Sequence, residues 1–157
     1  MLDSACSILE EAKSTGVHPG FGVYYVTWLL SDLYNTRGAI AYEKNGKDHG
    51  LDWYQKTKVL RQSVARPGNE YDDLWIMLSN GNIAISLISA GRQAEALPLL
   101  EELISSEDFE DNKDLYLANA CCCYQAVGQF DKAIEVGKRG LELSKTRHGL
   151  ESLKVAM

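Results

Sequence analysis

The sequence is short of the features that mark several functional classes. Only 3 of its 157 residues are proline, and no valine- or threonine-rich alternating run occurs, so helix is favoured over strand. Cations are in deficit: 16 Lys and Arg against 22 Asp and Glu leave a net charge of −6. A general nucleic-acid binder needs the opposite balance to displace counterions from phosphates. The longest apolar stretches, such as Val23 to Leu30, are too short to span a bilayer. Asp3, Glu10 and Glu11 stand where a secretory leader would be basic. There is no C-x-x-C, and three of the four cysteines are consecutive, Cys121 to Cys123. Adjacent cysteines seldom bridge one another without strain, so a reducing, cytoplasmic setting is expected.

Chemical motifs are equally scarce. Gly20 and Gly22 do not extend to a phosphate cradle, and neither P-loop nor G-x-S-x-G spacing occurs. Successive helical positions point about 100° apart, so Cys121, Cys122 and Cys123 cannot converge on one ion, and His18, His49 and His148 are distant in sequence. The acidic run Glu101, Glu102, Glu107, Asp108, Glu110, Asp111, Asp114 lacks the turn glycine of a calcium loop and reads as a solvated loop. Trp28, Trp53 and Trp75 read as filler between helices. Neither catalysis nor a cofactor or metal is expected.

What is present is repetition. With 45% hydrophobic and 24% charged residues the chain is long enough for one well-cored domain. Three segments share one plan: a helical run, a glycine turn and a second helical run. The clearest is Leu115–Lys145, where Leu117, Ala120, Cys121 and Tyr124 form one stripe and Gly128 a left-handed turn. Phe130, Ala133, Ile134, Gly137 and Leu141 then form a second stripe. In Met77–Glu107, Ile83, Ala84 and Leu87 precede Gly91, and Ala96, Leu97, Leu100, Leu103 and Ile104 follow it. Pro98 falls early enough in that second helix to bend rather than break it. A looser copy, Leu33–Val64, has Ala39 and Tyr42 before Gly46, and Leu51, Tyr54, Val59 and Leu60 after it. Asp3–Ser14 carries only a second-helix pattern (Ala5, Leu9, Ala12), and Gly149–Met157 only the start of a first helix. Arg66 to Asn69 is an interhelix loop.

These residues resemble the tetratricopeptide (TPR) repeat. The likeness rests on Cys121, Tyr124, Gly128, Phe130, Ala133 and Gly140, then on Ala84, Leu87, Gly91, Gln93, Ala96 and Leu103, and lastly on Ala39, Tyr42 and Gly46. The spacing is similar to the long-repeat type found in multidomain signalling proteins. The resemblance implies an all-α, right-handed superhelix of antiparallel helix pairs, about seven helices in one domain over residues 1–157. That domain would comprise a partial repeat at 1–15, repeats at about 32–65, 77–110 and 114–147, and a partial repeat at 149–157. Small residues at the crossings fit the close approach of paired helices, and each pair leaves an apolar face for its neighbour.

The resemblance further implies a concave groove lined by first helices, with Arg37, Asn82 and Asn119 in equivalent slots. Asparagine offers both a donor and an acceptor, so such a ladder suits the backbone of an extended peptide. Ile40, Ile85 and Leu115 would receive apolar side chains, and Cys122 lies on the same side. An acidic chaperone C-terminus is a poor ligand, because Thr36, Ile40, Leu115 and Asn119 occupy clamp positions where only Asn82 fits. The expected function is therefore a protein-binding scaffold for a partner peptide or helix. The alternative is a sensor or oligomerisation segment of a larger multidomain receptor or regulator, self-associating through unfinished terminal repeats.

Overall fold

The computed structural model describes residues 2–16, 22–45, 50–107 and 112–153. Among them the chain is all-α, with seven helices: α1 (Leu2–Thr15), α2 (Val23–Asn45), α3 (Leu51–Val64), α4 (Glu70–Ser89), α5 (Gln93–Ser105), α6 (Lys113–Ala126) and α7 (Phe130–Leu153). They fall into two compact units, Met1–Ala90 with α1 to α4 and Gly91–Met157 with α5 to α7.

In the first unit, extensive contact runs between helices that follow one another in the chain: α1 with α2, α2 with α3 and α3 with α4. Each is antiparallel to the one before it. Asp3 meets Arg37 and Glu10 meets Tyr34; Thr57 and Arg61 meet Ser31 while Gly50 lies against Gly38; Arg61 meets Ser79 while Arg66 meets Asp72. Helix α2 starts ten residues before the expected first repeat, because Val26, Thr27, Leu30 and Ser31 continue its buried stripe backwards. The expected turn at Gly46 lies outside the described residues. Pro67 and Gly68 form the loop into α4, with Gly68 at φ +71°. Asn69 then caps the helix, its side chain accepting from the Asp72 N–H at 3.1 Å.

Close approach between α2 and α3 depends on glycine. A Cβ on Gly38 would lie 2.7 Å from the Tyr54 ring, and one on Gly50 would lie 2.9 Å from the Gly38 carbonyl oxygen. The small contact residue of α2 is thus Gly38, not Ala39, which is exposed. On α3, Leu51, Tyr54 and Leu60 are buried as expected. Val59 is 63% exposed, and Thr57 and Arg61 occupy the stripe instead.

In the second unit α5 packs on α6 and α6 on α7. All five expected core residues of α5 are buried, and the helix runs unbroken through Pro98. Gly128 adopts φ +77°, and the Gln129 N–H reaches the Tyr124 carbonyl at 2.8 Å, the six-residue closure of a glycine helix terminus. Gly91 takes the same conformation at φ +76°. On α6 the buried stripe is Tyr116, Leu117, Ala120, Cys123 and Tyr124. Cys121 is half-buried, its sulfur 3.3 Å from where a Gly137 Cβ would stand.

Helix α7 departs from expectation at both ends. Its buried residues are Ala133, Val136 and Gly140, whereas Phe130, Ile134 and Leu141 are 65%, 56% and 47% exposed. The seam follows the small residues, because Gly140 lies against Leu117 and permits the closest crossing. The helix also continues to Leu153, so residues 149–153 extend α7 and do not start another helix; residues 154–157 lie outside the described set.

Gly38→Ala provides a direct check of the α2–α3 crossing. At an open helical site this substitution stabilises by about 1 kcal/mol. Here the buried Tyr54 ring blocks the new methyl, and a net loss of about 1–2 kcal/mol is expected as a lower urea midpoint. An unchanged or raised midpoint would show that the ring yields.

Candidate functional site

The first unit brings α2 and α4 side by side, since each is antiparallel to α3. Trp28 meets Trp75 with ring centroids 6.5 Å apart, Asn82 Nδ2 donates to Asn35 Oδ1 at 2.9 Å, and the Tyr42 and Ser89 hydroxyls lie 2.7 Å apart. Each pair differs by 47 in residue number, and successive pairs are seven residues on. Seven residues are about two helical turns, so one face of α2 runs parallel to one face of α4. At the N-terminal end the Tyr24 hydroxyl donates to Asp72 Oδ1 at 2.6 Å.

Arg61 holds this pair from below. Its side chain is 2% exposed, and its Nε donates to Ser31 Oγ at 3.2 Å. One terminal nitrogen donates to the Trp75 carbonyl at 2.8 Å and Ser79 Oγ at 3.0 Å, and the other to Asp32 Oδ1 at 2.9 Å. The guanidinium carbon also lies 5.6 Å from the Trp28 ring centroid and 4.9 Å from that of Trp75. Burial pulls its pKa down, and Asp32 opposes the shift. A second centre surrounds Asp72, whose side chain is fully buried. It accepts from the Arg66 backbone N–H at 2.9 Å, from Arg66 Nε at 3.0 Å, from the other Arg66 nitrogen at 3.1 Å and from Tyr24. The Arg66 bonds outweigh burial and hold its carboxyl at about 2. Its hydrogen bond to Asp72 raises the Tyr24 hydroxyl above its ordinary value.

Above these charges lies a chain of rings meeting edge to face. Tyr25 and Tyr24 are 5.4 Å apart, Tyr24 and Trp28 6.0 Å, Trp28 and Trp75 6.5 Å, and Trp75 and Tyr71 5.9 Å. With Asp32 and Arg66 they line a cavity of about 350 Å³.

The residues singled out from sequence are placed as follows. Asn82 is half-buried and bonded to Asn35. Arg37 pairs with Asp3 and lies 4.5 Å over the Trp53 ring, towards α1 and α3. Two residues turn a helix by about 200°, so Asn35 and Arg37 face opposite ways and the structure does not bring Arg37 to Asn82. Ile40 is 42% exposed and Ile85 half-buried. In the second unit Leu115, Asn119 and Cys122 lie along one stripe of α6, away from its buried residues, with Leu115 and Cys122 exposed. Burial pushes the Cys123 thiol up to about 11. Asn35, Arg61 and Asp72 were not anticipated. The signal for Arg61 was available, because it follows Tyr54 and Thr57 at helical spacing.

Among the described residues no group of three or more His, Cys, Asp or Glu side chains is placed to hold a metal ion, and no helix is long and apolar enough to cross a membrane. The side chains of His18, His49 and His148, and Asp108, Glu110 and Asp111 of the acidic run, lie outside the described residues. No protein-family model matches the chain, and no curated protein and no solved structure matches it either.

Asp72 makes stability depend on pH. Its folded-state value lies below the ordinary 3.8, so its contribution is complete above that value and lost as pH falls through 3.8 towards about 2. Asp72→Asn is expected to flatten the acid limb of melting temperature against pH in that interval. A limb as steep as that of the unmodified protein would assign the loss to other carboxylates.

Proposed function

We propose that this chain is a TPR-like superhelical repeat domain that acts in the cytoplasm as a scaffold, holding an extended or helical segment of a partner protein. The observation that carries the reading is the constant register of α2 against α4. Parallel first helices one repeat apart, separated by an antiparallel second helix, are the arrangement that stacked hairpins produce. The left-handed glycines at 91 and 128 support it. Each unit presents a face suited to a peptide. In the first, Ile85 supplies apolar contact one turn from Asn82, while Ile40, exposed on α2, is turned away from Asn35 and Asn82 and joins only a wider contact; in the second, Leu115 and Cys122 lie beside Asn119. Arg37 joins such a contact only by leaving Asp3 and Trp53, so register falls chiefly to the two asparagines.

The test is binding of an immobilised peptide library by the full chain and by the Asn82→Ala, Asn119→Ala double variant. Loss of two amide pairs is expected to cost about 1–3 kcal/mol, or roughly tenfold or more in affinity, beyond the small drop in melting temperature that loss of the Asn35–Asn82 bond brings. Equal affinity would remove the asparagine ladder.

One observation favours the second reading, an oligomerisation segment of a larger regulator. Phe130, Ile134 and Leu141 form an apolar row on α7 that faces solvent, flanked by Asp131, Lys132, Glu135 and Lys138. Under this reading light scattering gives a mass that rises above 17.4 kDa with concentration. Phe130→Glu with Ile134→Glu returns it to the monomer, whereas a monomer at every concentration discards the reading.

A further inference from the structure

The aromatic cavity between α2 and α4 has a chemistry that the asparagine ladder does not use. Its rings pack edge to face, yet Tyr25 and Tyr71 on its two flanks are each 61% exposed. Exposed tyrosines over a cleft of about 350 Å³ form ridges with a slot between them. Two tryptophans and Tyr24 make up the rest of the aromatic wall.

The charges around the slot restrict its occupant. Asp72 is paired with Arg66, and Asp32 with Arg61. Arg61 already lies against the rings of Trp28 and Trp75, and Arg66 lies 4.6 Å over that of Tyr24. A quaternary ammonium seated between the rings would meet ring faces engaged by two guanidiniums, beside an Asp72 already neutralised by Arg66. An anion would meet the exposed carboxylate of Asp32 at the end of the slot. The space between the rings therefore suits an uncharged, rigid, apolar group, with room for a cation only beyond it, at Asp32.

Proline meets these terms. Its ring packs flat on tyrosine and tryptophan, it brings no N–H that an apolar slot would leave unpaired, and a polyproline II segment is already ordered before it binds. Its carbonyls are strong acceptors, and Arg66, 55% exposed, stands at the edge of the slot as a donor. Asp32 is 59% exposed and bonds Arg61 through Oδ1, so its carboxylate also faces solvent at the end of the slot. We propose that this cavity binds a proline-rich segment of a partner protein in the polyproline II conformation, with a Lys or Arg beside the prolines placed at Asp32. The net charge of −6 favours the same basic flank. The site does not depend on Arg37, Asn82 or Asn119.

The experiment is calorimetric titration of the full chain with synthetic peptides: a ten-proline peptide ending in arginine, a glycine–serine peptide of equal length and charge, the ten-proline peptide ending in glutamate, and a trimethyl-lysine peptide. The arginine-tipped proline peptide is expected to bind at least about tenfold tighter than the glycine–serine peptide, and tighter than its glutamate counterpart. Tyr25→Ala and Tyr71→Ala, both at exposed positions, are each expected to weaken it about fivefold or more. Asn119→Ala, in the other unit, should bind it unchanged, so failure of the ladder leaves this result standing. No preference for proline over glycine–serine, indifference to both tyrosine substitutions, or preferential binding of the trimethyl-lysine peptide would overturn the proposal.

Discussion

Arg61 brings a positive charge into the first unit and ties three helices together with it. From α3 it reaches Ser31 and Asp32 on α2 and the Trp75 carbonyl and Ser79 on α4. A buried guanidinium is costly unless its donors find acceptors, and here they are spread over both neighbours. The charge therefore acts as a register pin. If α2 or α4 slid by one turn, the donors would lose partners that no apolar contact replaces. The Trp28 and Trp75 rings on either side exclude water from the pin, and Asp72 with Arg66 repeats the device where α4 begins.

The seam above the pin follows from this. With α2 and α4 held parallel, contacts recur every seven residues from Trp28–Trp75 through Asn35–Asn82 to Tyr42–Ser89. The aromatic end is packed and charge-balanced, whereas the middle is closed by a single amide pair. Under the two proposals, the aromatic end offers shape and ring faces and the middle of the seam offers amide hydrogen bonding. The second unit works differently. Glycine and alanine at its α6–α7 crossing let backbones approach closely, and its larger apolar side chains, Phe130, Ile134 and Leu141, are displaced to the surface.

Helical content, the glycine turns at 91 and 128, the early Pro98 and the complete core stripe of α5 were legible in the residue pattern. All of these are local: they follow from the angular period of the helix, the freedom of glycine at positive φ and the few carbonyls a proline near a helix start disturbs. The pairing of α2 with α3 and of α6 with α7 was legible for the same reason, since short loops between apolar stripes leave an antiparallel hairpin as the economical solution.

Which side of a stripe faces inward, and which polar residues go with it, depended on three-dimensional packing. Hydropathy alone puts Phe130, Ile134 and Val59 inside. The structure chooses Ala133, Val136, Thr57 and Arg61, because crossing distance is set by the smallest residues and a buried cation is tolerable only where acceptors from two other helices converge. Asn35 and Asn82 lie 47 residues apart and become partners only once α3 folds between them. The same holds for Trp28 and Trp75, which a reading along the chain treats as filler between helices and which helix pairing assembles with Tyr24 and Tyr71 into one wall.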